Sequence, residues 1–261
     1  MKYVLSWVRL AAFALVSLSL ISCQQSTSRL RNIALPESSA YGVDTTSDYP
    51  GVVQVLSPSG ALCTGTIVST RAVLTAAHCT LSSGRYSIRG SVNASTTVKY
   101  NYGPGIADDP NDIAILVFPS NTFPAAYVID IASSVAAGEV ARLVGYGCND
   151  LDTRMGAGVK RTGTNVVADV NDYVEFYTPV SSSGVRGILG PQNRAASCYG
   201  DSGGPALKEV DGKLKLAAVT HAGGVYEDTI VSQYVDISNR SDNRNFIYQV
   251  NRNNNLGIAG F

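Results

Sequence analysis

Histidine is scarce in this chain: its 261 residues contain two. Neither stands at ligand spacing from an acid or a cysteine, so metal catalysis is not expected, and nothing else in the sequence calls for a cofactor. Charge is also sparse. Charged residues make up 15%, with 20 basic against 20 acidic side chains. That balance gives no electrostatic footprint for nucleic acid or for a polybasic membrane contact. Long runs at helical period are few, and there is no internal repeat. Large helical architectures are thereby disfavoured.

What is present points to short strands joined by turns. Gly, Ser, Thr, Val and Asn are abundant. Strands are expected at 51–56, 62–68, 72–75, 113–118, 140–146, 165–169, 173–178, 214–220 and 230–235. The last two flank a Gly-rich bend. Ile113 to Phe118 is an apolar run suited to a strand buried on both faces. A helix is expected only near the end, from about Asn239 to Asn251. Ser238 or Asn239 would be its N-cap, and Phe246, Ile247 and Val250 its apolar face.

The first 22 residues read as a targeting segment. Lys2 and Arg9 precede a short apolar stretch, Leu10 to Ile21. The stretch ends Leu20-Ile21-Ser22-Cys23, which resembles a bacterial lipobox with Cys23 as the lipidated residue. The alternative is an ordinary signal peptide. Residues 23–40 are polar and aperiodic, a tether or pro-segment. Setting Cys23 aside leaves Cys63, Cys79, Cys148 and Cys198, an even number that suits two disulfides in an exported protein.

The string Gly200-Asp201-Ser202-Gly203-Gly204-Pro205 carries the sharpest chemistry. A serine hydroxyl needs a base to attack a carbonyl near neutral pH. The backbone N–H groups of Gly200 and Ser202 would face the developing oxyanion, where a side chain at 200 would crowd the approach. The base would be His78, within Thr75-Ala76-Ala77-His78-Cys79. Its orienting acid would be Asp112, within Asn111-Asp112-Ile113-Ala114. Asp108, Asp109 and Asp130 are rivals without that flanking context.

These three motifs, in the chain order His, Asp, Ser, resemble the trypsin-like (chymotrypsin) family of serine endopeptidases over roughly residues 40–254. The resemblance implies an all-β fold of two six-stranded antiparallel barrels with the active site between them and a short C-terminal helix. The first barrel would span 41–132 and the second, with the helix, 133–261. It implies a His78–Asp112–Ser202 triad and a protein or peptide substrate added as a strand near Thr220 to Gly224. It also implies a Cys63–Cys79 bridge beside the histidine, stabilising by about 3 kcal/mol, and pairing of Cys148 with Cys198, worth about 4 kcal/mol.

Two departures limit the resemblance. The Ile-Val start that normally neutralises the acid before the nucleophile is missing, so the partner of Asp201 is open. A new amine near Ser38 to Ala40 or an internal group would each serve. The pocket floor, acidic in enzymes that cut after Arg or Lys, carries Ala196 and Ser197 instead. Gly223 and His221 would form a pocket wall. His221-Ala222-Gly223-Gly224 also resembles a string of bacterial glutamyl endopeptidases, in which case Glu would be preferred and Glu37-Ser38 becomes a self-processing site. The competing reading is a catalytically silent binding module on the same fold. The expected protein is a monomer, exported and lipid-anchored at the bacterial envelope, with the outer membrane favoured, or released by processing. Cys23→Ser should move the protein from the membrane to the soluble fraction and abolish fatty-acid labelling. A wild type that takes up no labelled fatty acid would remove the anchor.

Overall fold

The computed structural model describes residues 42–43, 48–106, 108–179 and 194–260. Cys23, Glu37 and Ser38 lie outside them.

The first sheet runs in the order β6-β5-β2-β3-β4-β8-β7. Its strands are β2 (Val52–Leu56), β3 (Leu62–Ser69), β4 (Ala72–Thr75), β5 (Tyr86–Arg89), β6 (Ala94–Thr96), β7 (Val98–Asn101) and β8 (Ala114–Val117). Only Thr97 separates β6 from β7, so the two are halves of one bent strand. One half pairs with β5 and the other with β8, which closes six staves into the expected barrel. Both β4 and β8 are buried at every position, as continuous apolar runs require. Val53, Val55, Ile67, Val73, Tyr86 and Phe118 fill the interior.

The second sheet contains β1 (Gly42–Val43), β9 (Val140–Gly145), β10 (Arg161–Val170), β11 (Tyr173–Pro179), β12 (Pro205–Val210), β13 (Lys213–Tyr226) and β14 (Thr229–Asp236). The pairing of β10 with both β9 and β11 closes a ring of six, and β1 adds to Arg161 and Thr162 at one end. Leu143, Val167, Val174, Phe176 and Tyr234 form part of its core. A third cluster draws Leu74 and Ile115 from the first barrel, Val144, Leu207 and Val219 from the second, and Ile247 from the helix. This shared apolar layer fixes one barrel against the other.

Several local expectations shift. The Gly-rich bend after Thr220 is continuous strand, because β13 runs on to Tyr226 before the hairpin turn. From Ala222 to Tyr226 it pairs only with β14, which leaves its other edge without a strand partner among the described residues. Strands β5, β6, β7 and β12 had no clear sequence signal. Helix α1 (Ser241–Asn254) begins after Arg240, which makes no side-chain cap. Ser238 and Asn239 do not cap it, because their side-chain oxygens are engaged elsewhere: the Ser238 hydroxyl donates to Asp236 Oδ1 at 3.0 Å, and Asn239 Oδ1 accepts from Val135 N–H at 3.3 Å. Ile247 and Val250 are buried and Phe246 packs partly against them, as the helical spacing predicts. Ile247→Ala should cost about 2–5 kcal/mol of unfolding free energy through lost burial and a cavity, read from urea midpoints. An unchanged midpoint would mean that the helix does not anchor the interface.

Candidate active site

His78 lies on a single 3-10 turn, Ala77–Thr80, directly after β4. Asp112 lies two residues before β8, which pairs with β4. Strand pairing therefore brings the two together across 34 positions. Asp112 has no exposed surface. Its Oδ1 accepts the backbone N–H of His78 at 2.8 Å, and its Oδ2 accepts Nδ1 of His78 at 2.6 Å. A second imidazole, that of His221, donates its own Nδ1–H to the same Oδ2, also at 2.6 Å. An ionised carboxylate only accepts, so both rings carry their hydrogen on Nδ1. Burial would push the Asp112 carboxyl up, but the hydrogen bonds from His221 and His78 hold it down at about 2.

His221 was expected on the pocket wall. It borders the cleft, and its contact with Asp112 is one that sequence reasoning missed. The reason is a β-bulge. Thr220 pairs with Tyr234 and Ala222 with Gln233, so His221 is the extra residue between them. Bulges re-aim a side chain. The ring stacks parallel on Tyr173, with centroids 5.3 Å apart, and only 4% of its side chain is exposed against 30% for His78.

Two imidazoles and a carboxylate form a zinc-type donor set. Separations of 2.6 Å are hydrogen bonds, however, well under the roughly 3.3 Å edge between ligands of a tetrahedral zinc at ordinary bond lengths. The arrangement fits protons better than a metal. Cys63 and Cys79, the other thiols near His78, are bonded to each other.

Ser202 lies in the same cleft as His78, with Ser197, Thr220, His221 and Gly223 around a cavity of about 310 Å³. Its loop is fastened at several points. Cys198 is bridged to Cys148 at the end of β9. Gly203 N–H donates to Thr220 at 2.8 Å, and the Ser202 carbonyl accepts from Thr64 N–H at 2.8 Å. The hydroxyl of Thr64 donates to the Gly200 carbonyl at 2.8 Å. Thr64, from β3 of the first barrel, thus holds the loop of the second. Nothing but its place beside Cys63 could have marked it.

Gly200 has φ +101°, and a Cβ there would also stand 3.1 Å from Gly147 Cα. Gly203 has φ +82°, and its Cβ would overlap Thr75 Oγ1 at 2.1 Å. Conformation and space both demand glycine at these two positions.

Ala196 does not border this cleft. It is buried on the wall of a separate cavity of about 20 Å³ that also receives Asp201, Arg161 and Thr162. Only its neighbour Ser197 reaches both. The Asp201 carboxylate is enclosed there, although part of the residue is exposed. Its oxygens accept from Gly147 N–H at 2.7 Å and Cys198 N–H at 2.9 Å. Burial pushes the group up to about 6, against the pull of those amides and of Arg161. Arg161 itself is bound to the carbonyls of Gly147 and Gly156. Among the described residues no cation forms an ion pair with Asp201.

The sequence profile described as Trypsin matches residues 41–242. The chain is 26% identical over 197 residues to the vitellin-degrading protease of Bombyx mori, covering 68% of this chain and 72% of that one. It is 29% identical over 180 residues to serine protease SP24D of Anopheles gambiae, covering 63% of this chain and 65% of that one. Among solved structures, that of a Glu endopeptidase in complex with MPD superposes with a TM-score of 0.60 at 15% identity, over 84% of this chain and all of the other.

The buried carboxyl of Asp201 sets a pH dependence. Its native value lies above the unfolded one, so the folded protein binds a proton that the unfolded chain releases. The associated stability is full below about pH 4 and is lost as pH rises through about 6. Unfolding midpoints should fall over that window in the full-length chain, and Asp201→Asn should flatten the slope. An equal slope in both proteins would assign it elsewhere.

Proposed function

Because the chain belongs to the trypsin family of serine proteases, we propose that it is an active endopeptidase using His78, Asp112 and Ser202. The observation that carries this reading is the buried Asp112 carboxylate holding Nδ1 of His78 at 2.6 Å in a cleft shared with Ser202. That bond fixes the tautomer whose Nε2 is free to act as base. His78 takes the Ser202 proton as the hydroxyl attacks the scissile carbonyl. The amides of Gly200 and Ser202 stabilise the oxyanion, and His78 then returns the proton to the leaving amine. Water enters the acyl-enzyme by the same steps in reverse order. The edge of β13 at Ala222 to Tyr226, unpaired among the described residues, supports a substrate bound as an added strand.

No acid borders the cleft among its described residues, so Arg and Lys are not preferred before the scissile bond. Small uncharged side chains fit its Gly223, Ser197 and Thr220 lining. The second reading, a preference for Glu, is favoured by the Ser197 hydroxyl and the His221 ring on the same wall.

Asp201 forms no ion pair among the described residues, and β1 ends beside the cavity that holds it. A cut releasing an amine between Ser38 and Ala40 would supply one, making residues 23–40 a pro-segment as well as a tether from lipidated Cys23. The two disulfides suit an oxidising compartment.

Ser202→Ala should lower peptide hydrolysis by at least about 10⁴-fold with an unchanged fold. Measured on peptides with Ala, Glu, Phe or Arg before the bond, wild type should cut Ala or Glu best and Arg least. Hydrolysis surviving in the pure variant, or a wild type that no serine-directed phosphonofluoridate labels, would favour the silent binding module.

A further inference from the structure

Oδ2 of Asp112 offers two lone pairs, and two imidazole N–H groups occupy it at the same distance, 2.6 Å. Oδ1 is occupied by a backbone amide. We propose that His221 is a positioning residue of the hydrolytic site: it locks the Asp112 carboxylate in place and competes with His78 for that carboxylate's charge. The proposal rests on the endopeptidase reading above.

Three observations carry it. Strand β13 spends an extra residue at His221, and that bulge turns the ring away from the strand's regular alternation. Tyr173 fixes the plane of the ring by parallel stacking, 5° off at 5.3 Å. The side chain is 96% shielded from water, so its N–H needs a protein acceptor, and Asp112 is that acceptor. The carboxylate consequently cannot turn toward or away from His78 without breaking a second hydrogen bond.

Sharing has an electrostatic consequence. When His78 accepts the Ser202 proton, the balancing carboxylate is already partly committed to His221. A proton on either ring also opposes one on the other, since the ring centroids stand 6.3 Å apart across one anion. The two rings therefore draw on one carboxylate charge. The other titratable group in contact with His221 among the described residues is the phenol of Tyr173 on β11. Burial, with the charges of Asp108, Asp109, Asp172 and Asp112, holds the Tyr173 phenol up at about 12, so it stays neutral while the site works.

The test is the rate of Ser202 labelling by a phosphonofluoridate across about pH 5 to 9, a reaction that needs the base but no particular peptide. It is run on the full chain as wild type, His221→Ala and His221→Asn, with circular dichroism and melting to check folding. Asn places its amide nitrogen where the histidine Nδ1 stands, restoring a donor that does not titrate. Loss of the donor in His221→Ala should lower the plateau rate about 10-fold or more through misorientation. It should also move the acid limb up by about 0.5–1 pH unit, the worth of one hydrogen bond. His221→Asn should recover most of the plateau and bring the acid limb back toward that of the wild type. A folded His221→Asn no better than His221→Ala, or acid limbs identical in all three proteins, would reduce His221 to a space-filling residue. If His221→Ala does not fold, the His221→Asn plateau and limb decide alone. A wild type that is not labelled at Ser202 would overturn the endopeptidase reading itself, and this proposal with it.

Discussion

A carboxylate without exposed surface has to be surrounded by donors, because an unpaired charge in the interior costs several kcal/mol. Asp112 meets that demand with one amide and two imidazoles. Each donor comes with a structural commitment. The amide and the ring of His78 require the 3-10 turn after β4 to face the start of β8. The ring of His221 requires a bulge in β13 of the other barrel. Moving either barrel by a fraction of a hydrogen-bond length would leave the charge short of a partner.

The Ser202 loop shows the same dependence in reverse. Ser202 belongs to the second barrel, yet Thr64 of the first donates to it twice, from its N–H to the carbonyl of Ser202 and from its hydroxyl to that of Gly200. Thr75 Oγ1 in turn donates to the Thr64 carbonyl at 2.8 Å. This network and the apolar layer from Leu74 to Ile247 make the cleft a product of two sheets. Cys63–Cys79 pins the histidine turn to β3, and Cys148–Cys198 pins the serine loop to the end of β9. Both bridges therefore act on the walls of the cleft.

The sequence was most legible where chemistry and periodicity coincide. Ala72 to Thr75 announces a strand and Ile113 to Phe118 a strand buried on both faces, and both are there. The three motifs pointed to residues that do converge: His78 with Asp112 by hydrogen bonds, and His78 with Ser202 by a shared cleft. What was not legible depends on partners. A bulge exists only relative to the neighbouring strand, so no pattern within Val219 to Gly224 could say which way His221 turns. Ala196 and Ser197 are adjacent, yet only Ser197 reaches the cleft that His78 and Ser202 line. Strands β5, β6 and β7 are short, and β6 and β7 close the barrel as halves of a broken stave. The helix cap was misplaced because the side-chain oxygens of Ser238 and Asn239 are engaged by Asp236 and Val135.

The edge of β13 that is open among the described residues has a cost outside the cleft. A row of unpaired backbone groups invites any extended chain, including the same edge of another copy. This chain places Gly223 and Gly224 in the middle of that row, where they pair poorly as strand residues, and Glu227 with Asp228 at its tip. On the proposed reading a strand whose side chain also fills the adjoining cavity would be held longest, so the same two glycines, which offer a passing chain no side chain to pack on, leave selection to the pocket.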